Sequence, residues 1–363
     1  MKVLLLITGL GVGGAEKVVT GLADAFVEKG HEVIIAYLNG EADVLPSNPE
    51  IEVSCLGDKS IKGILKSFFR IRRIINSYKP DVVHSHMYHA NIFICIVSIF
   101  LNIPYLVITA HNTRVGGTLK ALLYRLFDRF ADVSTNVSCE AVSSYENSFA
   151  VKKSRMVTVH NGIDVNEFKF SKLSRCEIRK ELGLSENTKF LLTVGSLTEQ
   201  KDHFNLFAAL KEIDCKSKCI RLFLVGEGPL KAHLQVLAKD MGLEEYVKFL
   251  GIRRDVPCLM SASDVFVLSS AWEGFPLVVG EAMSCERVVV ATDCGGVREF
   301  LGADGFLVPP KQPKDLADEL GKVLSLSTLE VDALGKASRQ RIINKFSHNM
   351  AVDNWIKLYT CSL

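Results

Sequence analysis

Short apolar runs rich in β-branched residues alternate with helical patterns along the whole chain, and this alternation leaves few possible folds. The runs include KVLLLIT, HEVIIAYL and YLVITAH in the first half, and KFLLTVGS, IRLFLVGEG and RVVVATDCGG in the second. Strands that are apolar throughout are buried on both faces, and helices between them favour parallel pairing. The sequence therefore predicts an α/β protein with doubly wound parallel sheets.

A chain of 363 residues is long for one hydrophobic core, which predicts two domains. The β/α alternation lapses in the polar stretch VHNGIDVNEFKFSKLSRCEIRKELGL before a new helix begins. We place the boundary near residue 166, between a domain at 1–166 and a second that starts at 167. Ligands of such sheets bind at the carboxyl ends of the strands, so two facing domains would enclose a cleft.

Composition excludes several classes of protein. Lys and Arg number 43 against 41 Asp and Glu, and a net charge of +2 gives no reason to expect nucleic acid as a partner. The ten cysteines form no CxxC pair, which predicts reduced thiols in a cytoplasmic protein. The run VLLLI is too short for a signal peptide, and Asn102 and Pro104 interrupt the longest apolar stretch, so no membrane span is predicted.

The first strand leads into GLGVGGAEKVV, a glycine-rich loop that opens a helix. Glycines such as Gly13 and Gly14 let the backbone approach a phosphate or a sugar, and the helix N-terminus adds partial positive charge. The pattern also matches G-x-G-x-x-G through Gly9, Gly11 and Gly14, so this motif alone favours a dinucleotide-binding fold equally.

Three strand ends in the second half carry polar loops. VGSLTEQKD contains Lys201, which is either a cation for a phosphate or an exposed turn residue. VGEGP is a short turn between a strand and a helix, and the turn alone can explain its two glycines and its proline. GIRRDV offers Arg253 and Arg254, either as nucleotide contacts or as solvated cations.

The segment WEGFPLVVGEAM carries Glu273 and Glu281 in otherwise apolar surroundings. Pro276 suits the first turn of a helix, which places Glu273 in the preceding loop and Glu281 inside the helix. One interpretation is a pair of ordinary helix glutamates. The other is that N–H groups of GFPLV bind a diphosphate while Glu281 accepts hydrogen bonds from ribose hydroxyls.

Over nearly its whole length the chain resembles the retaining glycosyltransferases of family 4, which have the GT-B architecture of two facing Rossmann-like domains. The resemblance rests on GVGGAEK, VHNGID, GSLTEQKD, VGEGP and, above all, EGFPLVVGEAM followed by VVATDCGGVREFL. The last block matches the family's E-x7-E motif and its trailing glycine pair, and it disfavours the dinucleotide interpretation. The family also has a C-terminal helix that crosses back to the first domain, here residues 346–363.

The resemblance implies a nucleotide-sugar donor site in the domain at 167–345 and an acceptor-binding first domain. Glu281 would bind the ribose, Glu273 would meet the donor sugar, and Lys201 would hold the diphosphate. His111 would lie beside the reacting sugar. The implied catalytic set is His111, Lys201 and Glu273, and the implied donor-binding set is Gly13, Gly14, Ser196, Lys201, Gly226, Glu227, Gly228, Ile252, Arg253, Glu273, Gly274, Phe275, Pro276, Leu277, Val278 and Glu281.

One position departs from the family pattern. The family often has an arginine where this chain has Ser196, so the diphosphate would meet one charge fewer. No second acidic residue is placed as a nucleophile, so we expect same-face attack with retention, and neither a metal nor a cofactor. Charge that develops on the departing phosphate would be stabilised by Lys201 and helix N–H groups.

The expected reaction moves a hexose or an N-acetylhexosamine from a UDP-sugar to a glycan or polyprenyl-diphosphate-linked acceptor, in surface polysaccharide biosynthesis. The segment at 60–79 interleaves Lys62, Lys66, Arg70, Arg72, Arg73 and Lys79 with apolar residues, as either an ordinary surface helix or a contact with an anionic membrane. The resemblance favours peripheral contact with the inner face of the cytoplasmic membrane. The alternatives are a sugar-nucleotide epimerase of the same fold and a non-catalytic sugar-binding protein.

Overall fold

A computed structural model describes residues 1–11, 13–58, 60–215, 218–302 and 305–360. The chain divides into two compact units, with Met1–Gly162 and His348–Leu363 in unit 1 and Ile163–Ser347 in unit 2. The sequence had placed these divisions near residues 166 and 346. Residues 361–363 of the predicted terminal helix lie outside the described part of the chain.

The described residues of unit 1 form a seven-stranded sheet in which every pair of neighbours is parallel. The strands are β1 (Lys2–Ile7), β2 (Glu32–Tyr37), β3 (Glu52–Cys55), β4 (Val82–His86), β5 (Leu106–Ala110), β6 (Val133–Asn136) and β7 (Met156–Thr158). Their order is β3-β2-β1-β4-β5-β6-β7, so the direction of chain winding reverses between β1 and β4.

Helices cover both faces of this sheet, as strands that are apolar on both faces, such as β1, require. The helices are α1 (Gly14–Glu28), α2 (Ile61–Tyr78), α3 (Tyr88–Ser98), α4 (Thr118–Asp128) and α5 (Cys139–Asn147). Residues of α2, α3, α4 and α5 pack against one set of alternating strand side chains, and α1 packs against the other set.

The described residues of unit 2 form a six-stranded parallel sheet of order β10-β9-β8-β11-β12-β13. The strands are β8 (Lys189–Val194), β9 (Ile220–Val225), β10 (Val247–Gly251), β11 (Val265–Leu268), β12 (Val288–Thr292) and β13 (Phe306–Val308). The winding direction here reverses between β8 and β11, which are hydrogen-bonded neighbours.

Eight α-helices are described in unit 2, together with a short 3-10 helix, Glu199–Lys201. They are α6 (Lys172–Glu181), α7 (His203–Glu212), α8 (Lys231–Asp240), α9 (Val256–Ala262), α10 (Leu277–Ser284), α11 (Val297–Leu301), α12 (Pro313–Leu324) and α13 (Thr328–Phe346). Leucine and valine side chains of the sheet form a buried core with apolar residues of α7, α8 and α12.

The helix α14 (His348–Thr360) returns to unit 1 and packs on the α1 face. Its Val352, Trp355 and Tyr359 are almost fully buried in the same core as β1 side chains. A Cβ at Gly21 of α1 would lie 2.8 Å from the His348 ring, so the glycine permits the close approach of the two helices. The predicted α/β class, the doubly wound parallel sheets and the return of the terminal helix are all confirmed.

Candidate active site

In unit 2, two of the loops singled out in the sequence follow the two strands at which the chain winding reverses. The loop after β8 contains Ser196 and Lys201, and the loop after β11 contains Glu273. In open α/β sheets, ligands bind at the carboxyl ends of the strands at such a reversal. The strand order therefore brings these predicted residues together, although 72 positions separate Lys201 from Glu273.

Glu273 is a buried carboxylate, with 5% of the residue exposed. Its Oε1 accepts hydrogen bonds from Lys201 Nζ at 2.6 Å and from Ser270 Oγ at 2.6 Å. Its Oε2 accepts a hydrogen bond from Gln200 Nε2 at 3.1 Å. A buried carboxylate is tolerated only when it is paired and hydrogen-bonded, and these three donors meet that requirement for Glu273.

The loop that carries Lys201 is held directly against the β11 loop. Ser269 Oγ donates to the backbone oxygen of Lys201 at 2.9 Å, and the Ala271 amide donates to the backbone oxygen of Gln200 at 2.8 Å. The lysine side chain is only 15% exposed. The ammonium and the carboxylate are thus positioned by backbone contacts as well as by their mutual attraction.

The turn VGEGP packs on the same loop and needs its glycines for that reason. A Cβ at Gly226, where φ is +136°, would lie 2.0 Å from the Gly195 backbone oxygen. A Cβ at Gly228 would lie 2.4 Å from the Leu197 backbone oxygen. Between them, the Glu227 backbone oxygen accepts from the Leu197 amide at 3.0 Å, and its carboxylate pairs with Lys231 at 2.6 Å.

Ile252 and Arg253 follow β10, the next strand outward in the sheet after β9. Ile252 is 76% exposed. The guanidinium of Arg253 donates to Asp255 at 2.6 and 2.8 Å and to Glu181 at 2.8 Å, and these partners raise its pKa. The charge of Arg253 is therefore already paired within unit 2, whereas Ile252 presents an apolar surface to solvent.

The segment EGFP leads into α10, but the helix begins one residue later than the sequence predicted. Pro276 is the N-cap residue, with an extended ψ of 94°, and Leu277 is the first helical residue. Pro276 was predicted within the first turn, and that placement is wrong because its ψ is not helical. Glu281 does lie inside α10, where it is half-buried.

The glycine pair that follows β12 fixes the backbone before α10. The Gly296 amide donates to the Gly274 backbone oxygen at 2.8 Å. Gly295 has a φ of +57°, and a Cβ there would lie 2.4 Å from the Glu273 backbone oxygen. The Phe275 ring stacks on Phe300 at a centroid distance of 4.1 Å. These contacts hold the N-terminus of α10, with Leu277 and Val278 in its first turn.

In unit 1, Gly13 and Gly14 lie at the start of α1, and the two glycines have different surroundings. A Cβ at Gly13 would lie 2.3 Å from a Glu16 carboxylate oxygen, so Glu16 folds over this position. At Gly14, no atom of the described residues lies within 4 Å of a Cβ position. Val12 of the same motif lies outside the described residues. The space beside Gly14 is thus open to a ligand.

His111, which follows β5, belongs to a group of three histidines in unit 1. His86 Nδ1 lies 3.0 Å from His111 Nε2, and the rings of His84 and His86 lie 3.9 Å apart between centroids. Burial lowers the pKa of His111 to about 4 and lowers the pKa of His84 and of His86 well below its usual value. All three rings are therefore neutral near pH 7. In a neutral imidazole, one ring nitrogen donates a hydrogen bond and the other accepts one.

Helix α14 completes this histidine group from the other side. The Tyr359 hydroxyl lies 2.6 Å from His84 Nδ1, and the Trp355 ring lies 4.4 Å from the His84 ring. Thr109 Oγ1 lies 2.6 Å from His84 Nε2, so both nitrogens of this ring have partners. His84 therefore connects α14 to the central strands β4 and β5 of the sheet.

Sequence reasoning missed Ser270 and Gln200 around Glu273, and His84 and His86 beside His111. The signals were present in part. VVHSH places two histidines two residues apart in a strand, hence on the same side of the sheet, and Ser270 directly follows a fully apolar strand. The histidine pattern does not name its partner, because His111 follows a different strand, whereas Ser270 donates to Glu273 within the same loop.

Two parallel, doubly wound α/β units, with a buried Lys–Glu pair at the strand reversal of unit 2, define the class of GT-B glycosyltransferases. Comparison with known families agrees. The model described as "Glycosyl transferases group 1" matches residues 174–341, and "Glycosyltransferase Family 4" matches residues 12–167. The chain belongs to this glycosyltransferase family and is a glycosyltransferase.

Two curated relatives cover most of the chain. It is 30% identical to N-acetyl-alpha-D-glucosaminyl L-malate synthase of Bacillus anthracis over 70% of this chain and 67% of that protein. It is 27% identical to UDP-Gal:alpha-D-GlcNAc-diphosphoundecaprenol alpha-1,3-galactosyltransferase of Escherichia coli over 81% of this chain and 79% of that protein. Both relatives have names that describe the formation of sugar conjugates.

A solved structure shares the fold. The crystal structure of Anabaena HepE in complex with UDP-glucose matches with a TM-score of 0.87 at 23% identity, over 99% of this chain and 100% of that one. At this identity the likeness supports the GT-B fold alone. Among the residues that the structure describes, no helix has the length and apolarity needed to cross a membrane.

Proposed function

We propose that this protein is a retaining glycosyltransferase that transfers a hexose or an N-acetylhexosamine from a UDP-sugar to a lipid-linked glycan in surface polysaccharide biosynthesis. The observation that carries the proposal is the buried Lys201–Glu273 pair at the strand reversal of unit 2, one turn before α10. Such a site offers a cation, a carboxylate and a helix N-terminus together, which suits a diphosphate bonded to a sugar.

The roles of the unit 2 residues follow from their chemistry. The leaving diphosphate is stabilised by Lys201 Nζ and by the first-turn amides of α10, which include those of Leu277 and Val278. Glu273 accepts hydrogen bonds from donor-sugar hydroxyls, and Glu281 accepts them from the ribose. Neither a metal nor a cofactor is part of this proposal. From unit 1, we assign Gly13, Gly14 and His111 to donor contacts.

The remaining donor contacts follow the same logic. Ile252 has the exposed apolar surface to lie against a base, with Arg253 held beside it by Glu181. The backbone of 226–228 and of 274–276 approaches the ligand where glycines keep the loops close together. Ser196 is exposed and its Oγ lies 3.3 Å from Thr198 Oγ1, so it supplies a hydroxyl where relatives would often supply a charge.

The proposed reaction is balanced without an enzyme nucleophile. The bond between the anomeric carbon and the diphosphate oxygen breaks, and a bond from the same carbon to an acceptor hydroxyl oxygen forms on the same face. The proton of that hydroxyl passes to the departing phosphate. Retention at the anomeric carbon is the stereochemical signature of this route.

The lipid-linked acceptor is supported by the E. coli relative, whose name specifies a diphosphoundecaprenol substrate. It is supported independently by α2, which contains five Lys and Arg residues and no acidic residue. All five are exposed, and Arg70 also donates to the Cys55 backbone oxygen at 2.8 Å. We propose peripheral contact of residues 60–79 with an anionic membrane on the cytoplasmic side.

The test is a thermal-shift titration with UDP, GDP, ADP and their sugars, followed by a transfer assay with the nucleotide that binds. A ligand that binds only the folded protein raises the unfolding temperature as its concentration rises. We expect selective stabilisation by UDP, lost in Glu281→Ala. Glu319→Ala is the control, because Glu319 is half-buried, pairs with Lys322 at 2.7 Å and belongs to none of the donor contacts. No shift with any nucleotide, or an unaltered shift in Glu281→Ala, would contradict the site assignment.

A further inference from the structure

Hydrophobic exposure in this protein is concentrated on one layer of helices. Most of the large hydrophobic side chains that are exposed in the described residues lie on α2, on α4, or on α3 and the two residues after it. These helices share one face of the unit 1 sheet. Exposed apolar groups of this density commonly mark a surface that contacts a partner or a membrane.

Helix α4 has two apolar faces, of which the protein covers only one. Ala121 and Tyr124 point into the core of unit 1 and are almost fully buried. A second face carries a row that we term the leucine stripe, with exposed fractions of 70%, 64%, 37% and 46% for Leu119, Leu122, Leu123 and Leu126 respectively. Their spacing of i, i+3, i+4 and i+7 is that of a helix face made for burial.

The charges beside the leucine stripe are positive. Arg114, Lys120 and Arg129 are exposed on or next to α4. The acidic residue of this helix, Asp128, is buried and hydrogen-bonded to Ser134 and Arg155. A helix with leucines on one face and cations at its margins is typical of a segment that lies in the interface of an anionic bilayer.

The same charges argue against a second copy of the chain as the occupant. A symmetric dimer would place one patch against its own copy, because an isologous interface pairs identical surfaces. Lys120 and Arg129 would then approach the same cations of the partner, with no exposed carboxylate on α4 to compensate them. An anionic lipid surface offers phosphates to these cations and acyl chains to the leucines.

We propose that the leucine stripe of α4 inserts into the headgroup region of an anionic bilayer, as a contact separate from the basic helix α2. The inference deepens the proposed function, since it rests on the same lipid-linked acceptor. The two helices contribute differently. Helix α2 supplies mainly positive charge, and salt screens its attraction to the membrane. Helix α4 supplies apolar area, and salt does not screen the free energy gained by burying it.

The experiment measures co-sedimentation of the full chain with vesicles of phosphatidylcholine and phosphatidylglycerol, at low and at high salt. The test variant is Leu119→Gln/Leu122→Gln/Leu126→Gln, because glutamine has nearly the helix propensity of leucine. The matched control is Leu173→Gln/Leu329→Gln, which removes leucines that are 69% and 82% exposed in helices of unit 2.

We expect the stripe variant to lower vesicle partition by about tenfold or more at both salt concentrations. The control variant should bind as the parent does. The proposal is overturned if the parent does not bind vesicles, if the stripe variant binds like the parent, or if both variants lose binding equally. A parent dimer in sedimentation velocity that the stripe variant loses would assign the surface to a second copy instead.

Nucleotide binding is measured on the same preparations and separates this inference from the proposed function. The stripe belongs to unit 1 and the residues around Glu273 belong to unit 2, so both variants should keep the parent's nucleotide-induced thermal shift. Vesicle binding that depends on the stripe, in a protein stabilised by no nucleotide, would support the membrane contact and contradict the donor site. Stabilisation by a nucleotide, in a protein whose vesicle binding does not depend on the stripe, would support the donor site and contradict the membrane contact.

Discussion

Replacing Lys201 by methionine should destabilise unit 2 far more than replacing an exposed lysine in an ion pair of equal length. The substitution keeps most of the side-chain volume but leaves the Glu273 carboxylate, 6% exposed in its side chain, without its cation. Removing one partner of a buried pair costs about 3–5 kcal/mol. Ser270 and Gln200 still donate to Glu273, so we expect the lower end, about 3 kcal/mol.

The matched control is Lys231→Met. Lys231 and Glu227 are also 2.6 Å apart, but their side chains are 35% and 40% exposed. A solvated pair of this kind contributes at most about 1 kcal/mol. For a unit of this size, 1 kcal/mol corresponds to a shift of about 2–4 °C in the unfolding midpoint. Lys201→Met should therefore lower the midpoint by about 6–12 °C, and Lys231→Met by a few degrees at most.

Adding Glu273→Gln to Lys201→Met tests the same argument by removing the carboxylate as well as the cation. The double variant Lys201→Met/Glu273→Gln has no buried charge at this position, so it should be more stable than Lys201→Met alone. It should still lack transferase activity, because neither the cation nor the carboxylate remains. The assay is thermal denaturation, comparing the unfolding temperatures of the same transition. Equal stability of the two lysine variants, or a double variant less stable than Lys201→Met, would refute the buried-pair argument.

Three further predictions concern two glycines and one histidine. Gly226→Ala should lower the free energy of unfolding by more than about 2 kcal/mol, since its φ is +136° and its Cβ would meet Gly195; an unchanged urea midpoint would contradict this. Gly14→Ala should leave stability unchanged and weaken nucleotide binding in a thermal-shift titration, because its Cβ enters open space; unchanged binding would rule out ligand contact there. Between pH 7 and pH 5 the unfolded chain protonates His111 near its ordinary pKa of about 6.5, whereas burial holds the folded pKa to about 4. Stability should therefore fall on acidification by at most about 2 kcal/mol from this group, and a His111→Gln variant should lose less; equal losses would refute the burial argument.

The sheets could be predicted from the sequence because their strands are apolar on both faces. A short run such as KVLLLI, followed at once by glycines, is typical of a buried strand. The return of the C-terminal helix to unit 1 followed from the family resemblance. The helix after EGFP was also predicted, and its start was misplaced by one residue because proline suits both the N-cap and the first turn.

The contacts within each site could not be predicted in the same way. Lys201 meets Glu273 because β8 pairs with β11, and strand order is a property of the whole sheet. His86 meets His111 because β4 pairs with β5, and Tyr359 reaches His84 from the far end of the sequence. Periodicity similarly reveals the apolar positions of α4 but not which of its two faces the core covers.

The position of α14 has a consequence for synthesis of the protein on the ribosome. Unit 1 is encoded first, but Val352, Trp355 and Tyr359 of its core are translated only after all of unit 2. Domains generally fold as units while the chain emerges from its N-terminus. Until α14 is translated, the first 162 residues therefore lack the cover of the apolar surface on α1 and the sheet that α14 later buries. A nascent chain stalled within unit 2 presents that surface to chaperones.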